Sequence, residues 1–309
     1  MEKLNEYLER RELFSKAFIY RNKFSILLIC LIFFCLWIGG LYLGKLIAII
    51  FCTIISKITV WDEATVYWVK KVITCGVQIV VFALWVHFFE NRQFKMLGLW
   101  ATNRAKHYII GFLLGFTSIT FITFILVFTN MVKIQKVNYS FSFIVVFWVI
   151  TGWIVQSASE EIAFRGWLVP VLGKRYSPVV AVVFTAFMFS IIHLFSAGVT
   201  TLSFVNIVLS GVFFTGYAVY SNNIWGVCGL HFAWNLSLGN IYGFPVSGFP
   251  TNNQTILCIK QVGDDIYTGG KFGPEGGVFT TFVLIFGIMI LTIMIYSNYK
   301  TEENRKKLI

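Results

Sequence analysis

Three ionisable residues lie close together in a stretch that is otherwise rich in valine, isoleucine, phenylalanine and tryptophan. Glu160, Glu161 and Arg165 fall within six residues inside the apolar window 141–170. A charged side chain in the hydrocarbon of a bilayer costs at least ~2.5 kcal/mol, so intramembrane charges mark functional sites by default. On a helix Glu161 and Arg165 share a face and can form an ion pair, whereas Glu160 points about 100° away. A carboxylate without a partner in a low dielectric is suited to act as a general base.

Three more polar residues lie in other apolar windows. His193 lies in the window 178–196, and His231 and Asn235 lie in the window 224–241. The last two are four residues apart, so they share one face of a helix. A single histidine in a membrane helix is often a packing residue. Here, however, two of the chain's four histidines lie inside apolar windows, and Asn235 accompanies one of them. This grouping of polar residues indicates a functional site.

Residue counting places these side chains at similar depths. The midpoint between Glu160 and His193 falls in the tight turn 173–178, so in an antiparallel hairpin both lie roughly 20 Å from that turn. The turn 221–223 places His231 and Asn235 roughly 12–18 Å from the membrane face on which the turn 173–178 lies. All four side chains are therefore expected to converge on one intramembrane cavity.

Such a group of side chains can hydrolyse an acyl bond. Glu160 and His193 can hold a water molecule and take its proton as it attacks a carbonyl carbon. His231 and Asn235 can donate hydrogen bonds to the developing oxyanion, each worth about 3 kcal/mol in serine proteases. The nearby serines stand in no G-x-S-x-G elbow. Zinc or another divalent metal at Glu160, His193 and His231 is a further alternative, although no H-E-x-x-H helix is present.

The composition indicates the elements that must position these residues. The chain has 309 residues, of which 57% are apolar and 13% charged, and its mean hydropathy is +0.76. These values exclude a soluble enzyme and a disordered chain. At ~20 residues per crossing the apolar residues supply about eight helices, which predicts an all-α polytopic bundle forming a single membrane domain over 1–309. The eight apolar windows are 24–50, 72–89, 107–131, 141–170, 178–196, 201–221, 224–241 and 277–298.

Basic residues that flank the apolar windows produce the net charge of +11. This distribution is typical of membrane orientation and argues against nucleic acid as a partner. With eight spans both termini lie on one face. That face carries 16 Lys and Arg residues against seven on the opposite face, where Lys70 and Lys71 are counted. The termini are therefore predicted to be cytoplasmic and the lipid bilayer to be a partner. Nearly all charged residues are predicted to lie in termini, loops or span ends. The clear exceptions are Glu160, Glu161 and Arg165.

The remaining features are assigned smaller roles. The segment 241–276 is rich in glycine and proline and is predicted to be an extramembrane loop, either a structured turn or a lid over the cavity. His87 and His107 lie near span ends and are interpreted as interfacial. The six cysteines show no CxxC spacing and are interpreted as core residues.

The sequence resembles a known family in three motifs. Glu160-Glu161-x-x-x-Arg165, Phe189-x-x-x-His193 and His231-x-x-x-Asn235 resemble the three-part signature of the CAAX protease and bacteriocin-processing family, also called the Abi family. Its members are intramembrane glutamate-type endopeptidases. The resemblance covers about 157–236. It implies that Glu160 and His193 activate water and that His231 and Asn235 form the oxyanion site. It also implies that Glu161 and Arg165 are supporting residues and that no metal cofactor is needed.

These observations together predict an intramembrane endopeptidase with a catalytic core over 141–241. Its partner is predicted to be a membrane-associated peptide or protein substrate, and the resemblance places the chain in a prokaryotic plasma membrane. The alternative is a non-proteolytic scaffold or bacteriocin self-immunity protein that uses the same cavity for binding. A proton-coupled transporter is less favoured because repeats and broken-helix pairs are not evident. The oligomeric state is left open by the sequence.

Overall fold

The chain forms an almost entirely helical bundle. The computed structural model describes residues 2–16, 24–139, 142–250 and 254–307, and 75% of it is helical. Arg21 and Lys23, two of the 16 basic residues counted on the face of the termini, lie outside the described residues. The elements are α1 (Glu2–Glu9), α2 (Glu12–Ser15), α3 (Ile26–Ile55), α4 (Glu63–Phe88), α5 (Arg104–Phe128), β1 (Val132–Val137), α6 (Phe143–Glu161), α7 (Val169–Arg175), α8 (Pro178–Ile191), α9 (Thr201–Ser221), α10 (Trp225–Leu236), β2 (Leu257–Gln261), α11 (Asp265–Thr268) and α12 (Val278–Lys307).

Among the described residues, six helical segments are long and apolar enough to cross a bilayer. They are α3, α4, α5, α9, α12 and the continuous segment Phe143–Arg175, in which the π-helix Ile162–Leu168 joins α6 to α7. The prediction of a helical membrane bundle is confirmed, and the chain is an integral, multi-pass membrane protein. Two of the eight predicted windows form shorter helices. α8 has 14 residues, and α10 has 12 before the π-helix Ser237–Ile241 continues it.

Polar caps determine where several helices begin. The side chain of Asp62 accepts a hydrogen bond from the Thr65 backbone N–H at 2.8 Å, so α4 begins at Glu63 and not near 72. The assignment of Lys70 and Lys71 to a connection before this helix was therefore wrong, because both lie within α4. Ser177, inside the predicted turn 173–178, caps α8 two residues after α7 ends, which confirms the tight connection between the two helices.

Glycines allow α5 and α10 to pack with their backbones in close contact. A Cβ atom on Gly111 of α5 would lie 1.8 Å from the carbonyl oxygen of Gly226 in α10, and one on Gly229 would lie 2.1 Å from that of Tyr108. Only a residue without a side chain fits at these positions. Small residues at such crossings let membrane helices gain van der Waals contact along their length. This contact fixes α10, which carries one of the predicted motifs.

A small antiparallel ribbon lies on one face of the bundle. β1 pairs with β2, with Val132 opposite Gln261 and Val137 opposite Leu257. β1 follows α5, and β2 precedes α12. The segment predicted as a Gly/Pro-rich loop therefore contains a strand, the short helix α11 and two 3₁₀ turns, Gly270–Phe272 and Pro274–Gly276.

The two ends of the described chain meet on the opposite face. Arg11 donates a hydrogen bond to the Tyr220 carbonyl at the end of α9, at 2.9 Å. Tyr7 packs on Tyr299 of α12 with ring centroids 5.6 Å apart. Both ends thus share one face of the bundle. The cytoplasmic location of this face stays a prediction.

Candidate active site

The first motif lies where α6 changes into a π-helix. Glu160 and Glu161 are the last residues of α6, and Arg165 lies in the π-helix that follows. π-Helical segments are rare and occur frequently at functional sites. The Glu161 carboxylate accepts a hydrogen bond from Arg165 at 3.0 Å, and both side chains are fully buried. The expected ion pair is therefore present.

Arg165 connects this helix to two neighbours. Its guanidinium donates to the Thr215 hydroxyl at 3.3 Å and to the Gly211 carbonyl at 3.4 Å, both in α9. It also lies 4.6 Å from the ring centroid of Phe189 in α8. A buried guanidinium is tolerated when it is paired, hydrogen-bonded and packed on aromatic faces. Arg165 therefore fixes the position of Glu161 without lining the cavity.

His231 of α10 lies between the two glutamates. Its Nδ1 is 2.7 Å from Glu161 Oε1, and its Nε2 is 3.8 Å from Glu160 Oε2. An ionised carboxylate can only accept a hydrogen bond, so His231 Nδ1 carries the hydrogen in that contact. Glu161 therefore sets the orientation of the ring and leaves Nε2 directed toward the other carboxylate.

His193 follows α8, which ends at Ile191. Its Nδ1 lies 2.8 Å from the carbonyl oxygen of Phe189, and its ring packs against that phenylalanine at 4.9 Å. Because a carbonyl can only accept, Nδ1 donates, and in the neutral ring Nε2 carries the lone pair. His193 can therefore act as a base through Nε2.

Gln156 links two of the predicted site residues and was not among them. Its side-chain Nε2 donates to Glu160 Oε1 at 2.6 Å, and its Oε1 accepts from Asn235 Nδ2 at 2.9 Å. Gln156 precedes Glu160 by four residues, so the helical spacing placed it on the same face. That spacing was the one signal in the sequence that could have identified it.

A cavity of about 520 Å³ brings the predicted residues together. Glu160, His193, His231 and Asn235 all line it, as does Gln156. Glu161 and Arg165 lie behind its wall. The expected convergence of four polar side chains is thus present in the structure. Three lysines that were not predicted as site residues also line the cavity, namely Lys45, Lys70 and Lys71.

The segment before α12 contributes a second, partly buried carboxylate to the cavity. Glu275 accepts hydrogen bonds from the Trp234 indole at 2.9 Å and from the Ser247 hydroxyl at 3.0 Å. Burial raises the pKa of the Glu275 carboxyl, and these hydrogen bonds partly oppose the rise. Asn206 of α9 holds the Glu275 backbone carbonyl at 2.7 Å. Glu275 was not predicted, because a lone acid in a glycine-rich segment follows no catalytic pattern.

The structure bears in part on the metal alternative. Among the described residues, no group of three or more His, Cys, Asp and Glu side chains is arranged to bind a metal ion. His87 and His107 do not line the cavity of the four predicted residues. All six cysteines are free thiols. The metal-free interpretation stays a prediction, since a ligand set can form on binding.

The fold and the cavity define a multi-pass helical membrane protein with a polar site inside the bundle. Residues 141–237 match the family model described as type II CAAX prenyl endopeptidase Rce1-like. This match supports the CAAX protease family that the three motifs indicated, and it supports a function of the CAAX-type intramembrane protease kind. The matched region contains all six predicted site residues. Neither a curated protein nor a solved structure gives a significant match to the chain.

Proposed function

We propose that this chain hydrolyses a peptide bond of a membrane-associated peptide or protein inside the cavity, with water as the nucleophile. The observation that carries the proposal is the convergence of Glu160, His193, His231 and Asn235 on one 520 Å³ cavity in an apolar bundle. Polar groups in such a place are expensive, so their convergence requires a use. The cavity is also large enough to admit part of a peptide.

Glu160 and His193 activate the water in this proposal. Gln156 holds one oxygen of Glu160, and the other, 3.8 Å from His231 Nε2, acts on the water. His193 presents Nε2, because its Nδ1 is bonded to the Phe189 carbonyl. A water held between these atoms attacks the carbonyl carbon of the peptide bond and passes its proton to Glu160. The same proton is then delivered to the leaving amine as the tetrahedral intermediate breaks down.

His231 stabilises the oxyanion as an imidazolium in this proposal. Its Nδ1 hydrogen is donated to Glu161, so Nε2 can donate to the oxyanion only when the ring carries both hydrogens. The charges support this state. Glu160 and Glu161 carry two negative charges, and Arg165 with a protonated His231 balances them. A buried cluster of paired, balanced charges avoids the cost of an uncompensated one.

Asn235 is the second proposed oxyanion donor. One hydrogen of its side-chain amide is donated to Gln156 Oε1. An amide nitrogen carries two hydrogens, so the second can be donated to the oxyanion. The hydrogen bond to Gln156 fixes the plane of the amide. Preorganised donors of this kind are worth about 3 kcal/mol each in the transition state.

The first test compares Glu160→Gln and His193→Ala with the wild type in purified, detergent-solubilised full-length protein. We expect each variant to lose at least about a hundred-fold in peptide cleavage, because each removes a proton-transfer group. Glu303→Gln, on the last helix far from the cavity, is the matched control and keeps full activity. Mass spectrometry of membrane peptides from wild-type and Glu160→Gln cells identifies the products.

Full turnover by either variant would refute the mechanism. Loss of activity with a chelator, restored by zinc, would replace the metal-free proposal with a metal-dependent one. If cells carrying Glu160→Gln keep every phenotype of the wild type, the cavity serves for binding and not for hydrolysis.

A further inference from the structure

The ribbon of β1 and β2 has one face that carries only basic charge. Alternate residues of a strand point to opposite faces, and residues directly opposite each other in the register point to the same face. Lys133 lies opposite Lys260, and Lys136 lies opposite Cys258, two residues before Lys260. All three lysines therefore project from the same face, which we call the basic face, and all three are exposed.

The other face of the ribbon is apolar and is directed toward the bundle. Ile134 lies opposite Ile259 on this face. Val132, two residues before Ile134, is buried, and Ile259 is half-buried and packs against the core. The apolar side chains thus orient the ribbon, so the basic face is turned away from the bundle.

The lysines of the basic face have no anionic partner among the described residues. None of their ammonium groups lies within 4.0 Å of a carboxylate there. The two strands contain no acid, and the acids that follow β2, Asp264 and Asp265, lie at the start of α11. Like charges directly opposite in an antiparallel pair destabilise it. The basic face therefore holds three positive charges, two of them opposed, that these residues do not neutralise.

The ribbon is attached to the bundle at the ends of two helices. The Met131 N–H donates to the Leu126 carbonyl at 2.9 Å, so the chain turns back and β1 begins level with the last turn of α5. At the other end, Asn138 donates to the Ile256 carbonyl, and the Ile256 N–H donates to the carbonyl of Asn240, in the π-helix after α10. Because both ends are held, the ribbon lies along this face of the bundle instead of projecting from it.

This level corresponds to the lipid headgroups. α5 is one of the helices long and apolar enough to cross a bilayer, and the headgroup layer occupies about 5–8 Å beyond the end of the hydrocarbon. Exposed tyrosines, which are enriched at that level, lie beside the ribbon. Tyr139 follows β1 and Tyr267 lies in α11. The anions within reach of the basic face are therefore lipid phosphates.

We propose that the basic face of the ribbon binds the phosphate headgroup of an anionic phospholipid of the surrounding bilayer, on the membrane face opposite the termini. Three of the seven Lys and Arg residues counted on that face lie in this ribbon, although the face outside the cytoplasm carries few such residues as a rule. A phosphate between Lys133 and Lys260 removes the repulsion between their charges. The inference is independent of the proposed peptidase function.

The test places the full-length protein in nanodiscs of phosphatidylcholine alone and in nanodiscs in which about one third of the lipid is phosphatidylglycerol. Hydrogen exchange followed by mass spectrometry reports on the backbone amides of β1 and β2 separately from the basic termini. Opening of the ribbon must break the lipid contact, so exchange slows by the factor by which the lipid stabilises the closed ribbon.

We expect exchange of the ribbon to be at least about ten-fold slower with phosphatidylglycerol, since three lysines near an anionic surface correspond to about a hundred-fold in affinity. Exchange of α10 should stay unchanged. The combined substitutions Lys133→Gln, Lys136→Gln and Lys260→Gln abolish the slowing, whereas arginine at the same three positions retains it. Lys57→Gln, an exposed lysine beyond the end of α3, is the matched control and keeps the full effect.

Equal exchange of the ribbon in the two kinds of nanodisc would overturn the proposal. A slowing that persists in the triple glutamine variant would assign it to other residues, and a slowing of equal size in α10 would show a general effect of the lipid on stability. Either result refutes a site on the ribbon. Equal protection by free glycerol phosphate in phosphatidylcholine nanodiscs would show that the ligand is a soluble anion and not a lipid.

Discussion

Gln156 shows how much of this site depends on a residue that carries no charge. It is hydrogen-bonded both to the proposed base, Glu160, and to the proposed oxyanion donor, Asn235. One amide therefore sets the spacing between the proposed base and the proposed oxyanion donor. Positioning of this kind affects the rate more than the binding of substrate.

Gln156→Ala is expected to lower kcat by about ten-fold to a hundred-fold, the value of a hydrogen bond to a charged group. KM should change little, because substrate does not need this contact to bind. Gln93→Ala, an exposed amide outside the cavity, is the matched control. Steady-state kinetics of the purified proteins measure both constants. A rise in KM with unchanged kcat would show that Gln156 contacts substrate instead.

At the residue scale, the residues of the three motifs could be identified from the sequence. Other residues that line the cavity with them, such as Gln156 and Glu275, were not identified. Glu160 and His193 could be placed at one depth because a tight turn and a fixed helical rise determine it. Glu275 could not be placed, since its position depends on how a glycine-rich segment folds back onto α10. Lys71 was assigned to a connection because hydropathy does not reveal a helix start that is set by the Asp62 cap.

At the scale of elements, the contact between α5 and α10 is the most restrictive in the bundle. Its glycines bring two backbones together, and α10 carries His231 and Asn235. A change in this contact would move both residues away from Glu160. Stability and site geometry are therefore determined by the same helix pair.

Gly111→Ala is expected to destabilise the protein by at least about 1–3 kcal/mol, because its Cβ would meet the Gly226 carbonyl oxygen at 1.8 Å. Gly76→Ala in α4 is the matched control, since a Cβ there meets nothing within 4 Å. Thermal unfolding in detergent compares the two variants. Equal midpoints would mean that α5 and α10 are farther apart than the structure shows.

Hydropathy predicted the order of the apolar segments better than their ends. α8 ends at Ile191, whereas the apolar window continues to 196. Hydropathy missed this end because the residues after Ile191 are still partly apolar, although they adopt a turn conformation. The two π-helical segments were not predicted either. A π-helix differs from an α-helix in its hydrogen bonds and leaves no distinct hydrophobic period. The all-helical class was predictable because composition alone requires it.

At the scale of the whole molecule, Glu275 connects the segment between α10 and α12 to the cavity. Its side chain bonds to Trp234 and Ser247, and its backbone carbonyl bonds to Asn206. The segment predicted as a turn or a lid is thus attached to α9 and α10 next to the site. Its action as a lid stays a prediction.

The stability of the protein should depend on pH through Glu275. Because burial raises the pKa of this carboxyl above 4.5, the folded state is penalised at neutral pH, and the penalty is relieved as pH falls through the raised pKa toward 4.5. The unfolding midpoint of the wild type relative to Glu275→Gln should therefore rise by a few degrees over this range. A difference that is constant with pH would show that the carboxyl is solvated.

The short helix α8 has a consequence for the supply of the second reactant. Its 14 residues cover about 21 Å, less than the roughly 30 Å of hydrocarbon, and His193 lies just beyond its end. Non-helical backbone at membrane depth is tolerated only where it is buried in protein or lines a water-filled cavity, and in the turn after α8 the residues Ile192, His193 and Ser196 line the cavity. Each hydrolysed peptide bond consumes one water molecule. The early end of α8 therefore leaves His193 in a turn that lines the cavity, where the proposed mechanism requires that water.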